Sequence, residues 1–218
     1  KKGSIVGIFP GTKVEPIIEQ LLKIPRRLRA KVQEIILDMA NSMKTIALRC
    51  FPQAIQVTDR FHVQKLAIEA LQDIRIKYRW EAIDLENNQI KEAKSKGKRF
   101  IAEEFSNGDS RKLLLARSRY LLYKSPNNWT DNQKFRAKIL FEEYPHIKKA
   151  FDLVQGLRSI FNTSKSMNIA YTKLAHWYKD VELAGFKSFN TIVNTISVNY
   201  KSILNYFINR STNASAES

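Results

Sequence analysis

Two runs rich in β-branched residues, each closed by an aspartate and separated by one short helical pattern, constrain this chain more than any other feature. Val32 to Leu37 (VQEIIL) ends at Asp38, and Ala54 to Thr58 (AIQVT) ends at Asp59. Between them, Asn41 to Cys50 repeats its apolar residues at helical spacing and stops before Pro52. A strand, helix, strand series needs a crossover connection, which makes the two strands parallel and directs ligands to the region outside their carboxyl ends. Both aspartates fall there. Gly3 to Phe9, closed by Pro10 and Gly11, predicts a further buried strand of about five residues. A helix carrying Ile17, Ile18, Leu21 and Leu22 is expected to follow and to stop at Pro25, before a connection crowded with Arg26, Arg27, Arg29 and Lys31. The expected fold class is α/β with about three short parallel strands, mostly α by residue count.

Beyond residue 60 every pattern is helical. A helix is predicted from about Phe61 to Lys94, and another from Ser110 to Lys124 after the Asn107, Gly108, Asp109 turn. Thr130 with Gln133 fits a capping box for a helix to Glu143, and Pro145 suits the first turn of the next, ending near Phe161. Ser166 opens a helix that Gly185 ends. A last apolar stripe runs from Phe186 to Phe207 before the Asn209 to Asn213 break. No internal repeat or low-complexity segment interrupts this series, which reads as one α/β core with a helical appendage.

Composition then sets the class of partner. Of 218 residues, 37 are lysine or arginine against 21 acidic, a formal +16, while 44% hydrophobic content excludes a disordered chain. Such an excess serves polyanion binding, mainly nucleic acid, or attraction to an anionic membrane surface. A single cysteine, Cys50, excludes an intramolecular disulfide and a thiolate zinc site, so a reducing cytoplasm is expected. No apolar run approaches a membrane span of roughly 18 residues, and no signal-peptide core follows Lys1 and Lys2. No membrane partner is expected.

Asp38 and Asp59 admit two readings. On neighbouring parallel strands about 4.8 Å apart, the two carboxylates could share a divalent cation of the kind that serves phosphoryl transfer. Alternatively, each caps the helix that follows it. His62, three residues after Asp59, better suits orienting that aspartate than ligating a metal. His146 and His176 lie far from any acidic strand end, and Cys50 beside Phe51 suits core packing. The stretch with Arg111, Lys112, Arg117, Arg119 and Lys124 contains no acid, which favours phosphate contact over a merely solvated face. Trp80, Trp129 and Trp177 read as core anchors.

The segment ILDMANSMKTIALRCFPQAIQVTDRFHV, with KYRWEAID, LLLARSRYLLYKSP and NYFINRSTNASAES, resembles the catalytic region of DDE transposases of bacterial insertion sequences, specifically the ISL-type group. The likeness covers essentially the whole chain. It implies a ribonuclease H-like core in which three acids hold two Mg2+ or Mn2+ ions that cut DNA and join the freed 3′ hydroxyl to a target strand. It also implies a helical insertion ahead of the helix that bears the last acid. By position, residues 1–62 resemble part of the core, 63–208 the insertion, and 209–218 the start of the last core helix.

Carried over, Asp38 resembles the second catalytic, metal-binding acid and Glu217 the third. Asp59 and His62 match a D-x-x-H motif that supports the acids from behind. Arg60, Arg111, Lys112, Arg117, Arg119 and Lys124 are the expected DNA contacts, with transposon ends and target as double-stranded partners. A rival assignment makes Asp38 and Asp59 the first two acids, but a predicted strand and helix already precede Asp38. No aspartate lies ahead of Asp38 to be the first acid. The chain is therefore expected to be an internal piece of a bacterial cytoplasmic transposase, inactive by itself, with unpaired sheet edges that favour a homodimer. A non-enzymatic basic helical nucleic-acid-binding protein and a nuclease of the same fold are the alternatives.

Overall fold

The structure is a computed structural model, and residues 7–213 are described. They form two compact units: residues up to 65 with 159–176 and those from 192 onward, and residues 66–158 with 177–191.

In the first unit, α1 (Val14–Leu22) and α2 (Arg26–Arg29) precede strand β1 (Glu34–Leu37), helix α3 (Asn41–Cys50) and strand β2 (Ile55–Thr58). The strands pair in parallel with Leu37 opposite Thr58. Backbone bonds from Ile55 N to Gln33 O (2.8 Å) and Asp59 N to Leu37 O (2.9 Å) carry the ladder past both ends. This is the predicted crossover unit, with α3 over the predicted residues. The predicted strand Gly3 to Phe9 lies largely outside the described residues, and its described part, Gly7 to Phe9, is not in a strand. Among the described residues the sheet therefore has two strands, and most of the protein is helical.

Periodicity explains the packing of this unit. Ile17 and Ile18 of α1 meet Ile46 and Cys50 of α3, with Phe9, Val14, Leu21, Met43 and Phe51 around them. Burial pushes the Cys50 thiol up in pKa against the opposing charges of Arg29 and Arg49, as suits a packing residue rather than a nucleophile. Helix α11 (Tyr200–Asn209) buries Ile203, Leu204, Tyr206 and Phe207. Its polar side secures β2: Thr58 Oγ1 and Ser202 Oγ lie 2.8 Å apart, and Asn205 Nδ2 donates to Gln56 O at 2.9 Å. Phe207 stacks on fully buried Phe161, ring centroids 5.5 Å apart.

Helix α4 (Arg60–Ser95) opens the helical series, continued by α5 (Arg111–Arg117), α6 (Arg119–Tyr123), α7 (Asp131–Glu143), α8 (Pro145–Thr163), α9 (Met167–Ala184) and α10 (Lys187–Val198). The Thr130 capping box forms in full, and Gly185, at φ 73°, takes the left-handed turn that ends α9. Two predicted helices are each broken once. Ser118 Oγ donates to Leu114 O at 2.6 Å, and Asn199 Nδ2 to Thr195 O at 2.7 Å. Both side chains compete for a carbonyl four residues back, which separates α5 from α6 and α10 from α11. Among the described residues no helix is long and apolar enough to cross a membrane.

The core of the second unit includes Leu71, Leu114, Leu115, Leu121, Leu122, Leu140, Ile147 and Leu157, all fully buried. Trp129 and Trp177 anchor it as expected, each indole donating to a carbonyl at 2.8 Å, of Leu121 and Leu153 respectively. Trp80 does not, being 61% exposed. It falls off the buried stripe Leu71, Arg75, Ala82 of α4. Asp109 is wholly buried, accepting from Arg117, from Arg136 Nε at 2.8 Å and from Asn107 Nδ2 at 2.8 Å. Burial opposes its ionisation, but the hydrogen bonds and charges of Arg136 and Arg117 outweigh this and hold its pKa below the ordinary value.

A depressed folded-state pKa contributes stability above the unfolded value of about 3.9, lost as pH falls through the folded value. Urea denaturation should therefore show stability falling as pH drops below about 4. Asp109→Ala should cost about 3 kcal/mol at pH 7 by stranding Arg136, and should flatten that acid limb. An unchanged acid limb in the variant would show that Asp109 does not control it.

Candidate functional site

The carboxyl ends of β1 and β2 place Asp38 and Asp59 after register partners Leu37 and Thr58. Their surroundings separate them. Asp38 is half-buried, and its Oδ1 accepts from Ala40 N at 2.8 Å in a tight turn before α3. The N-cap of α3 is Ala40, so Asp38 does not cap that helix. Among the described residues Asp38 Oδ2 receives no hydrogen bond.

Asp59 is 2% exposed and has both oxygens engaged. Oδ1 accepts from Phe61 N at 2.9 Å, capping α4, and Oδ2 accepts from Asn213 N at 2.9 Å. His62 sits in the first turn of α4, its backbone N donating to Asp59 O at 3.2 Å and its ring set edge-on to Phe61 at 5.6 Å.

The bond from Asp59 to Asn213 belongs to a larger tether that sequence reasoning missed. After α11, Arg210 adopts the left-handed conformation (φ 55°) and its guanidinium donates to Ser164 O and, at 3.4 Å, to Phe161 O. Ser211 Oγ bonds the Glu34 carboxylate at the start of β1, and Asn213 then meets Asp59 at the end of β2. The segment thus runs along the strands toward their carboxyl ends. Glu217, four positions on, lies outside the described residues. The Asn-rich break was the only sequence signal for this turn.

Among the described residues no group of three His, Cys, Asp or Glu side chains could hold a metal ion. One carboxylate oxygen of Asp38 has no hydrogen bond among the described residues, whereas both oxygens of buried Asp59 accept from backbone amides. Cavities of about 470 and 540 Å3 lie elsewhere, lined by neither aspartate.

The predicted DNA contacts fall into different settings. The acids that the α5 stretch lacks come from other segments: Arg111 pairs with Glu143 at 2.9 Å, Lys112 with Glu86 at 2.5 Å, and Arg117 with Asp109. Arg119 is exposed, its guanidinium 5.4 Å from the Tyr120 ring centroid, and Lys124 donates to Gln133 Oε1 at 3.3 Å. Arg60, in the first unit, lies 5.8 Å from the Tyr206 ring centroid and donates to Asn162 at 3.3 Å.

A parallel strand pair with an aspartate at each carboxyl end, set in a strongly basic and mostly helical chain, agrees with the outcome of comparison with known proteins. A family model described as transposase, of the ISL3 group of DDE transposases, matches residues 1–218, and the chain belongs to that family. Among curated relatives, the transposase for insertion sequence element IS1557 of Mycobacterium tuberculosis, from strains CDC 1551 / Oshkosh and ATCC 25618 / H37Rv, is 27% identical over 134 residues. That alignment covers 61% of this chain and 30% of the relative, so the chain spans well under two thirds of the relatives' length. No solved structure matches the chain.

Proposed function

We propose that this chain is part of an insertion-sequence transposase that moves DNA by phosphoryl transfer from a ribonuclease H-like core, with Asp38 and Glu217 as two of its metal-binding acids. The observation that carries this reading is the carboxylate oxygen of Asp38 that has no hydrogen bond among the described residues, at the end of β1, on a sheet to whose strand ends the segment leading to Glu217 is tied. Asp59 acts there as a clamp rather than a ligand, and His62 packs in the same turn. A bound Mg2+ or Mn2+ pair would activate the attacking oxygen and stabilise the leaving one. This chain's own contribution is to hold Asp38 and the Glu217 segment in place.

In this reading residues 1–62 are part of the catalytic core, 63–208 the helical insertion, and 209–218 the start of the last core helix. Duplex DNA, as transposon ends and target, is the substrate, and a homodimer in the bacterial cytoplasm is the acting form. The test is metal-dependent strand cleavage and joining by the complete transposase with Asp38 intact and substituted. Cleavage that persists without Asp38 would remove it from the metal-binding acids.

A further inference from the structure

We propose that the face where α4 meets the junction of α5 and α6 is the surface through which the second unit grips the DNA backbone, with Arg79 and Arg119 as its phosphate-binding cations. The proposal rests on the transposase reading only for the identity of the polyanion. Arg75 and Arg79 lie one turn apart on α4. Arg75 is 4% exposed and gives its Nε to Gln72 Oε1 at 2.6 Å and its Nη1 to Leu115 O at 2.9 Å, while Gln72 Nε2 donates to Arg119 O at 3.2 Å. A guanidinium is thus buried against an amide and a carbonyl, with no carboxylate partner among the described residues. Burying a cation without a counter-charge is costly, and the carboxyl end of α5 supplies only part of one. Burial lowers the Arg75 pKa first, and the positive charges of Arg79 and Arg119 lower it further.

Arg79 and Arg119 are themselves exposed. Each is followed in sequence by an exposed aromatic residue, Trp80 and Tyr120. Two exposed arginines with no carboxylate partner among the described residues, one of them over the Tyr120 ring, suit the phosphates of a nucleic-acid strand. The neighbouring cations Arg111, Lys112 and Arg117 are held by acids of their own unit. Charge complementarity therefore selects the α4/α6 face over the α5 residues singled out from sequence.

The distinction is measurable from the salt dependence of binding. The protein is titrated with a fluorescent duplex of about 20 base pairs and with one of its single strands, between about 50 and 200 mM salt. Arg79→Gln with Arg119→Gln should weaken duplex binding roughly 10- to 100-fold at about 100 mM salt, and reduce the slope of log affinity against log salt by about 1.8. On the single strand the reduction should be about 1.4. Arg111→Gln with Lys112→Gln removes the same formal charge and should leave both slopes within about 0.4 of wild type. Arg79→Lys with Arg119→Lys should restore the wild-type slope, which separates lost phosphate contacts from lost folding. Equal losses in the two glutamine pairs would reduce the effect to net charge and overturn the proposal. An unchanged slope in the Arg79, Arg119 pair, or no DNA binding by the wild type, would overturn it as well. None of these results bears on Asp38, whose metal binding is read separately.

Discussion

Replacing Asp38 with asparagine should lower strand cleavage and joining by the complete transposase at least about 10³-fold, equivalent to roughly 4 kcal/mol of transition-state stabilisation, while leaving the fold intact. The two halves of that expectation come from different oxygens of one side chain. Oδ1 accepts the Ala40 amide that shapes the turn into α3, and an asparagine carbonyl can accept the same bond. The other oxygen, which receives no hydrogen bond among the described residues, would become an NH2 group unable to ligate a cation. Thermal denaturation should therefore shift by no more than about 1 °C, a loss under about 0.5 kcal/mol. A large drop in melting temperature with the activity loss would return Asp38 to a structural role.

Asp59 should behave in the opposite way. Its buried carboxylate serves two backbone amides, so Asp59→Ala removes the cap of α4, worth about 1 kcal/mol, and a charged acceptor for Asn213, worth about 2 kcal/mol. The combined loss, about 3 kcal/mol, should lower the melting temperature by roughly 6–12 °C. Asp59→Asn offers a gentler comparison. Its carbonyl can keep the cap, but its NH2 then faces the Asn213 N–H, so only the cap's share, about a third of the loss, should return. Hydrogen exchange at the Asn213 amide should lose protection in both variants, and activity should fall with it through release of the segment leading to Glu217. Retained protection at Asn213 would show that the tether does not depend on Asp59.

The contrast between these aspartates marks where sequence reasoning stops. By period and position both are strand-end acids ahead of a helix, open to either the cap or the ligand reading, and only the family resemblance set Asp38 among the catalytic acids and Asp59 behind them. What separates them in the structure is the amide of Asn213, 154 residues from Asp59 in sequence. The local crossover unit was legible because strand and helix periods are set by neighbours, and α3 falls on its predicted residues. The breaks at Ser118 and Asn199 were not, because the apolar stripe continues through each while a single side chain captures a carbonyl.

Charge shows the same limit. The run from Arg111 to Lys124 contains no acid, yet Glu86, Asp109 and Glu143 fold onto three of its cations. Arg75 and Arg79, inside an ordinary helical pattern, carried no signal of their own until their partners were visible. Trp80 also read like the other two tryptophans, since burial depends on which stripe of α4 the rest of its unit covers. The family itself was legible from the strand-end segments, and the full-length family match agrees with that reading.

The proposed assignment of the catalytic metal to Asp38 rather than Asp59 is open to direct measurement. Its most direct measurement is Mn2+ binding to the complete transposase, followed by electron paramagnetic resonance on the wild type, Asp38→Asn and Asp59→Asn. The expected result is a tight Mn2+ population lost or weakened at least about tenfold in Asp38→Asn, the consequence of losing one charged ligand, and weakened less in folded Asp59→Asn, which loosens the Glu217 segment but removes no ligand. Mn2+ binding unchanged by Asp38→Asn would contradict the assignment, as would binding that disappears only with Asp59.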